Sequence, residues 1–242
     1  MDFSTFSQIF HAAANKNGIF APGEAQMQQF YTFTEHLLEV NVHTNLTAIR
    51  EPIGIIDKHY IDSLLATNLI PEGARVLDLG CGPGFPSIPL AIMRSDLKIT
   101  ALDSTAKKID FVQKSVEILQ LSNLKAISGR AEDLKLRKTL GKYDVVVSRA
   151  VARLNILCEL CLPYLKVGGT LIALKGAKFE EELTEATNAI KVLGGEVIKI
   201  EQKQLVTAEN TTETRGMIVI QLKKEPPPQY PRAYAAILKK PL

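Results

Sequence analysis

Arg75-Val76-Leu77-Asp78-Leu79-Gly80-Cys81-Gly82-Pro83-Gly84-Phe85 is the stretch on which the fold turns. Its first half is a short run rich in Val and Leu, and its second half is a glycine-rich turn. A buried parallel strand reads this way when it delivers the chain into a ligand-binding loop. Glycines suit such a loop because they accept positive φ and, without Cβ, let the backbone lie against a bound molecule. A dinucleotide fingerprint, G-x-G-x-x-G, would need glycine where Phe85 stands. The chain has instead Gly80-x-Gly82-x-Gly84, preceded by Asp78.

Downstream, a helix from Pro86 to about Ser95 and a strand Lys98 to Asp103 are predicted. The strand ends in a carboxylate about 20 residues past the glycines, where a ribose diol would find an acceptor. Asp103 is therefore the expected ribose ligand. It also suits helix capping together with Ser104, and both roles can hold at once.

The 242 residues carry a formal charge of +3, and 46% are hydrophobic, a length and composition that suit one large domain or one domain with a small appendage. That charge alone does not announce nucleic acid, so local clusters must carry such a case. With no signal-like start and no apolar run of membrane-spanning length, the expectation is a cytoplasmic protein that does not meet a membrane. Three cysteines argue against a disulfide framework. Cys158 and Cys161 share one face of an apolar helical run, Leu154 to Leu165, and no further Cys/His cluster completes a metal site.

Along the chain, Phe3, Phe6 and Phe10, then Phe30, Thr34, Leu37 and Leu38, recur at helical spacing, with Pro22 placed as an N1 proline. Residues 1–45 thus read as a helical extension. A turn at Asn45 to Arg50 leads to a helix in which His59, Asp62 and Ser63 lie within a turn of one another. A nucleophilic triad is not implied there, since no G-x-S-x-G elbow exists.

From Arg75 strands and helices alternate. This argues for a mostly parallel seven-stranded sheet with helices on both faces, spanning residues 46–224. Its later strands are Leu124 to Ser128, Tyr143 to Ser148, Thr170 to Leu174, Glu196 to Glu201 and Met217 to Leu222. Thr207 to Arg215 reads as a polar, mobile loop. After the third strand, Ala131 and Glu132 face the ligand crevice, though Glu132 equally fits the first turn of a helix. Arg149, at the end of the fourth strand, points into that crevice. Residues 225–242 form a proline-rich basic tail, expected on or near the same face, and residues 225–232 cannot be regular structure.

The glycine pattern resembles motif I of the class I S-adenosylmethionine-dependent methyltransferases, a Rossmann-like fold. A wider set of segments, from Asn45-Leu46-Thr47-Ala48-Ile49 and His59 with Asp62-Ser63-Leu64 through Gly80 to Pro86, resembles the bacterial RsmG (GidB) family. Asp103-Ser104, Gly129-Arg130-Ala131-Glu132, Ser148-Arg149-Ala150, Leu174-Lys175-Gly176 and Tyr230-Pro231-Arg232 continue the likeness. The resemblance implies methyl transfer from S-adenosyl-L-methionine to N7 of a guanine in 16S rRNA, with the rRNA or the small ribosomal subunit as partner, no metal, and a monomer. It places cofactor contacts on Gly80, Phe85, Asp103, Ala131, Glu132 and Arg149, to which the reading of the glycine turn and the strand end adds Gly82, Gly84 and Ser104. One departure lies in the tail, where Ala233-Tyr234-Ala235 stands in a segment that usually includes glycine.

The chemistry needs no catalytic acid or base. Guanine N7 offers an in-plane lone pair and no proton, so alignment is the main task, and Arg149 is the one residue with a possible direct part. Methylation at a pyrimidine carbon calls for a cysteine nucleophile, and adenine amino methylation for D/N-P-P-Y/F/W; neither follows the fourth strand. The candidate stacking partners for the base are Tyr60, Phe85 and Tyr143. For RNA the candidates are Arg149, Arg153, Lys175, Lys178 and Arg232, with Lys239 and Lys240, if they share one face. The alternatives are methylation of another RNA, a protein or a small molecule, a nicotinamide oxidoreductase, and a non-catalytic RNA-binding module.

Overall fold

The computed structural model describes residues 1–242. Seven strands form one sheet: β1 (Arg75–Leu79), β2 (Lys98–Asp103), β3 (Leu124–Ser128), β4 (Tyr143–Arg149), β5 (Leu165–Lys175), β6 (Gly195–Val206) and β7 (Thr212–Leu222). Their spatial order is β3-β2-β1-β4-β5-β7-β6, and β7 alone runs against the others. β1 is central, with Val76 paired to Ile99 on one side and Val145 on the other. Chain order reverses between β1 and β4, and ligands of open α/β sheets bind outside the strand ends at such a point.

Side chains alternate across each strand, so neighbouring residues feed opposite cores. Val76, Val145, Val147 and Ile172 pack with α1 (Phe3–Lys16), α2 (Glu24–Thr44), α5 (Ser87–Met93) and α6 (Ala106–Ile118). Leu77, Val146, Leu171 and Ala173 pack with α7 (Leu134–Leu140), α8 (Leu154–Cys161), α9 (Phe179–Val192) and α10 (Tyr234–Lys239). The aromatic stripe of the first helices is core: Phe6, Phe10, Phe30 and Phe33 are fully buried and cluster around Tyr60. Truncating any one of them to alanine should cost about 3–5 kcal/mol. Between α2 and β1 lie α3 (Pro52–Ile55), a π-helical turn (Ile56–Ile61) and α4 (Asp62–Leu64). No helix is long and apolar enough to cross a membrane.

Several boundaries differ from the sequence reading. Gly23, not Pro22, precedes the first residue of α2, and Gln26 folds back onto the Gly23 amide. Pro163 stops α8, and the apolar run finishes as a 3-10 turn, Leu162–Tyr164. The presumed polar loop shrinks to residues 207–211, because Thr212 to Arg215 extend β7 in register with β6. Polar composition misled there because this hairpin has little to bury on its outer face. Residues 225–232 contain no helix or strand, but the tail then forms α10.

Candidate functional site

The strand ends at the switch point open into a cleft of about 420 Å³, lined along the loop by Gly80, Cys81, Gly82, Pro83 and Phe85. Gly80 has φ +79°, and a Cβ there would collide with Val151. Gly82 has φ +54° and nothing within 4 Å of where its Cβ would stand. The loop therefore turns only with glycine, and at Gly82 it leaves room for a ligand. Gly84 lies outside the lining, and its Cβ would strike Ile88 in the helix below.

Asp103, at the end of β2, lines the cleft and does two structural jobs: Oδ2 accepts from the Gly82 amide at 3.0 Å and Oδ1 from the Thr105 amide at 2.8 Å. Each oxygen keeps a lone pair for a ligand hydroxyl. Ser104 lines the cleft but does not cap α6; Thr105 holds the cap position and Asp103 supplies the acceptor. Ala131 and Glu132 are both in the lining. Glu132 is not a helix residue, since α7 begins at Leu134 with Asp133 as its cap, accepting from Lys135 and Leu136. Asp78 sits beneath the loop, fully buried and outside the lining. Its Oδ2 accepts from the Ser87 amide at 3.0 Å, while Oδ1 has no partner. Burial pushes its carboxyl up to about 7 against the hydrogen bonding from Ser87.

Arg149 stands at the opposite wall. It donates to Asp62 at 2.9 Å, to the Lys58 carbonyl at 2.8 Å and to His59 Nδ1 at 3.1 Å, with its guanidinium carbon 5.5 Å from the Phe85 ring centre. A guanidinium can only donate, so His59 Nδ1 accepts and the ring proton sits on Nε2, directed at Thr47 Oγ1 2.8 Å away. Burial, then the Arg149 charge, holds the His59 imidazole down to about 3, and it is neutral. Its ring stacks on Phe85 with centres 4.2 Å apart. Asp62 is shared: its other oxygen accepts from Arg215 Nε at 2.8 Å. A second cavity, about 470 Å³, adjoins the first and shares Arg149, Ala150 and Val151 with it.

The sequence reading missed Leu46, Thr47, His59, Lys108, Leu160, Val151 and Tyr234 in the cleft lining. Thr47 is held there by the buried Asn41, whose amide bonds both its backbone groups. The Asn45 to Ile49 segment was legible only as a turn, because nothing in its composition reveals which wall it joins.

The expected basic face is largely neutralised. Lys175 is 7% exposed and bonds Glu182 and the Ala152 carbonyl. Arg153 chelates Glu185, and Arg232 chelates the fully buried Glu159. Of the set, Lys178, Lys239 and Lys240 are exposed with side chains in no ion pair. A charge change at Lys175 therefore perturbs the fold, because its ammonium is buried on Glu182 and the Ala152 carbonyl. Tyr60 and Tyr143 are fully buried, leaving Phe85 alone of the three aromatic candidates in the cleft, with one face given to His59. Burial pushes the Cys81 thiol well above its ordinary range, and Cys158 up to about 12. No group of three His, Cys, Asp or Glu side chains is placed to hold a metal ion.

Sheet order, glycine turn and acidic second strand together define a class I methyltransferase fold of the kind that uses S-adenosylmethionine. Solved structures agree on the fold: an O-methyltransferase from Bacillus cereus in complex with SAH superposes with TM-score 0.56 at 17% identity, over 91% of this chain and 100% of that one. TYW2 of M. jannaschii, in complex with AdoMet, gives 0.50 at 18% identity over 62% and 70%. The family model described as GidB, rRNA small subunit methyltransferase G, matches residues 26–211. Ribosomal RNA small subunit methyltransferase G of Lactobacillus acidophilus is 40% identical over 92% of this chain and 94% of its own. That of Lachnoclostridium phytofermentans is 44% identical over 90% of each, and that of Streptococcus pyogenes serotype M12 is 41% identical over 97% and 99%. The chain belongs to the rRNA small subunit methyltransferase G family.

Proposed function

We propose that the chain methylates N7 of a guanine in 16S rRNA, using S-adenosyl-L-methionine held in the cleft. The family it belongs to carries small-subunit rRNA methylation in its description. The cleft fits the cofactor on its own terms. About 420 Å³ is within the range of small-molecule sites, Gly82 leaves open space beside its backbone, and Asp103 keeps acceptor capacity for a ribose diol. When bound, the cofactor supplies a sulfonium methyl group. Gly80, Gly82 and Phe85 would border it, Asp103 and Ser104 its ribose, Ala131 and Glu132 its adenine, and Arg149 the end towards the second cavity.

One observation carries the choice of N7: no free base or thiolate faces the acceptor side. Both His59 nitrogens are engaged, both Asp62 oxygens are held by arginines, and Glu182 is paired with Lys175. Cys81 is a protonated thiol. Such a site suits a nucleophile that carries no proton and attacks through an existing lone pair, where positioning does the work. N7 lies on the edge that a regular A-form helix hides, so the acceptor is a looped or opened guanine. The second cavity, walled by Arg149, Arg215 and Asp62, is the place for that base in this reading.

The test is methylation by the purified protein with labelled cofactor, offered naked 16S rRNA, small subunits and total protein. Mapping modified guanines in rRNA from cells with and without the gene follows. Label in protein or free metabolites, or at a base position other than N7, overturns the proposal.

A further inference from the structure

The cleft has two apolar walls that come from different cores. Cys81, Phe85 and Leu46 belong to the core under the N-terminal helices. Leu79, Leu102 and Leu160 belong to the opposite core, and Ala131, Val151 and Tyr234 pack against it. Tyr234 is the only one of these lining residues from the C-terminal tail, in the first turn of α10. It lines the cleft together with Ala131 and Leu160, and all three pack in the same core.

The tail is anchored firmly enough to serve as a wall. Arg232 donates to both oxygens of Glu159 at 2.8 and 2.6 Å, its own amide adds a third bond at 2.9 Å, and Glu159 is fully buried. Glu159 precedes Leu160 of the cleft lining, so the ion pair and the wall share one turn of α8. Ile237, one turn beyond Tyr234, is also fully buried. Arg137 donates to the Tyr230 carbonyl at 2.9 Å, and Arg232 closes the far end on the Lys240 carbonyl at 3.1 Å. The glycine usual in this segment is not needed: none of residues 233–237 adopts positive φ.

We propose that Tyr234 is a cofactor-binding residue: with Ala131 and Leu160 it forms the apolar wall against the adenine ring, so the C-terminal tail completes the cofactor pocket. Arg232 then serves as the bolt of that wall through Glu159, not as an RNA contact. This rests on the reading of the cleft as the cofactor's, and the experiment separates the two.

The chain has six tyrosines and no tryptophan, and Tyr234 is the only tyrosine in the cleft lining, so the part of a ligand-induced quench that Tyr234→Phe removes reports the site. S-Adenosylhomocysteine and adenosine are titrated into the full chain and into Tyr234→Phe and Tyr234→Ala. The wild type binds both ligands with quenched tyrosine emission. Tyr234→Phe binds as the wild type does but loses most of the quench. Tyr234→Ala weakens both ligands by the same factor, about tenfold, the scale of one base on one aromatic ring, while its ligand-free melting temperature stays within a few degrees of the wild type. Wild-type affinity in Tyr234→Ala, or loss of RNA binding with unchanged S-adenosylhomocysteine binding, overturns the proposal. Failure of the wild type to bind S-adenosylhomocysteine at all overturns the reading of the cleft itself.

Discussion

Asp78→Asn should make the protein more stable, and increasingly so as the pH rises. Asp78 is fully buried beneath the glycine loop, with one oxygen on the Ser87 amide and the other without a partner. Its carboxyl lies near 7 in the folded chain against an ordinary 3.8. The folded state thus holds this proton more tightly than the unfolded state. Stability is greatest below the ordinary value and is lost as the pH climbs from there towards 7. At about 1.36 kcal/mol per tenfold, the full loss is about 4 kcal/mol, of which rather more than half falls between pH 5 and 8. Asparagine keeps an acceptor for the Ser87 amide and has no charge to desolvate. The gap in melting temperature between Asp78→Asn and wild type should therefore widen by roughly 5–10 °C from pH 5 to pH 8 for a chain of this size. His59 works in the other direction: with its imidazole held near 3, it stabilises above its ordinary 6.5 and less as the pH falls towards 3. Because both proteins share that slope, it cancels in the difference. Parallel curves, or a variant less stable than wild type at pH 8, would refute the reasoning. Since Asp78 does not line the cleft, S-adenosylhomocysteine affinity should stay within about threefold.

Asp62→Asn leaves the two guanidinium groups of Arg149 and Arg215 without their shared charge; kcat should fall at least about tenfold while S-adenosylhomocysteine affinity, measured by calorimetry, changes far less. Lys175→Ala should cost about 3 kcal/mol in urea unfolding, because it strands Glu182 and the Ala152 carbonyl. Lys178→Ala should cost under about 0.5 kcal/mol, and in filter binding it alone should weaken RNA retention without loss of fold. Gly80→Ala, which must move Val151 and hold a positive φ, should abolish measurable cofactor binding in the same calorimeter.

The parts of this protein that follow from local periodicity were readable in advance. The run Val76 to Leu79 is buried on both faces, and such a run has few uses other than a central parallel strand. The glycines after it mark a positive-φ turn, and Asp103 ends the next strand beside them. Long-range pairing was not readable. Lys175 and Lys178 are three residues apart and look alike in sequence, yet one is buried on Glu182 and the other lies in solvent. Arg215 seemed part of a polar loop; its strand position and its bond to Asp62 depend on β7 inserting antiparallel beside β5. Glu132 falls outside α7 because Asp133 takes the cap, which only the folded loop reveals. The wall contributed by Tyr234 depends on where Arg232 finds Glu159, a separation of 73 residues.

The β6–β7 hairpin also ties early and late parts of the chain together. Asn17, just past α1, bonds both the carbonyl and the amide of Val206, 189 residues later, and Asp57 accepts from the Ala208 amide in the same hairpin tip. At about 5–20 residues per second on the ribosome, the first helix therefore waits roughly 10–40 s for its partner to be made. Until the hairpin is made, the end of α1 lacks the two backbone bonds that Asn17 makes to Val206.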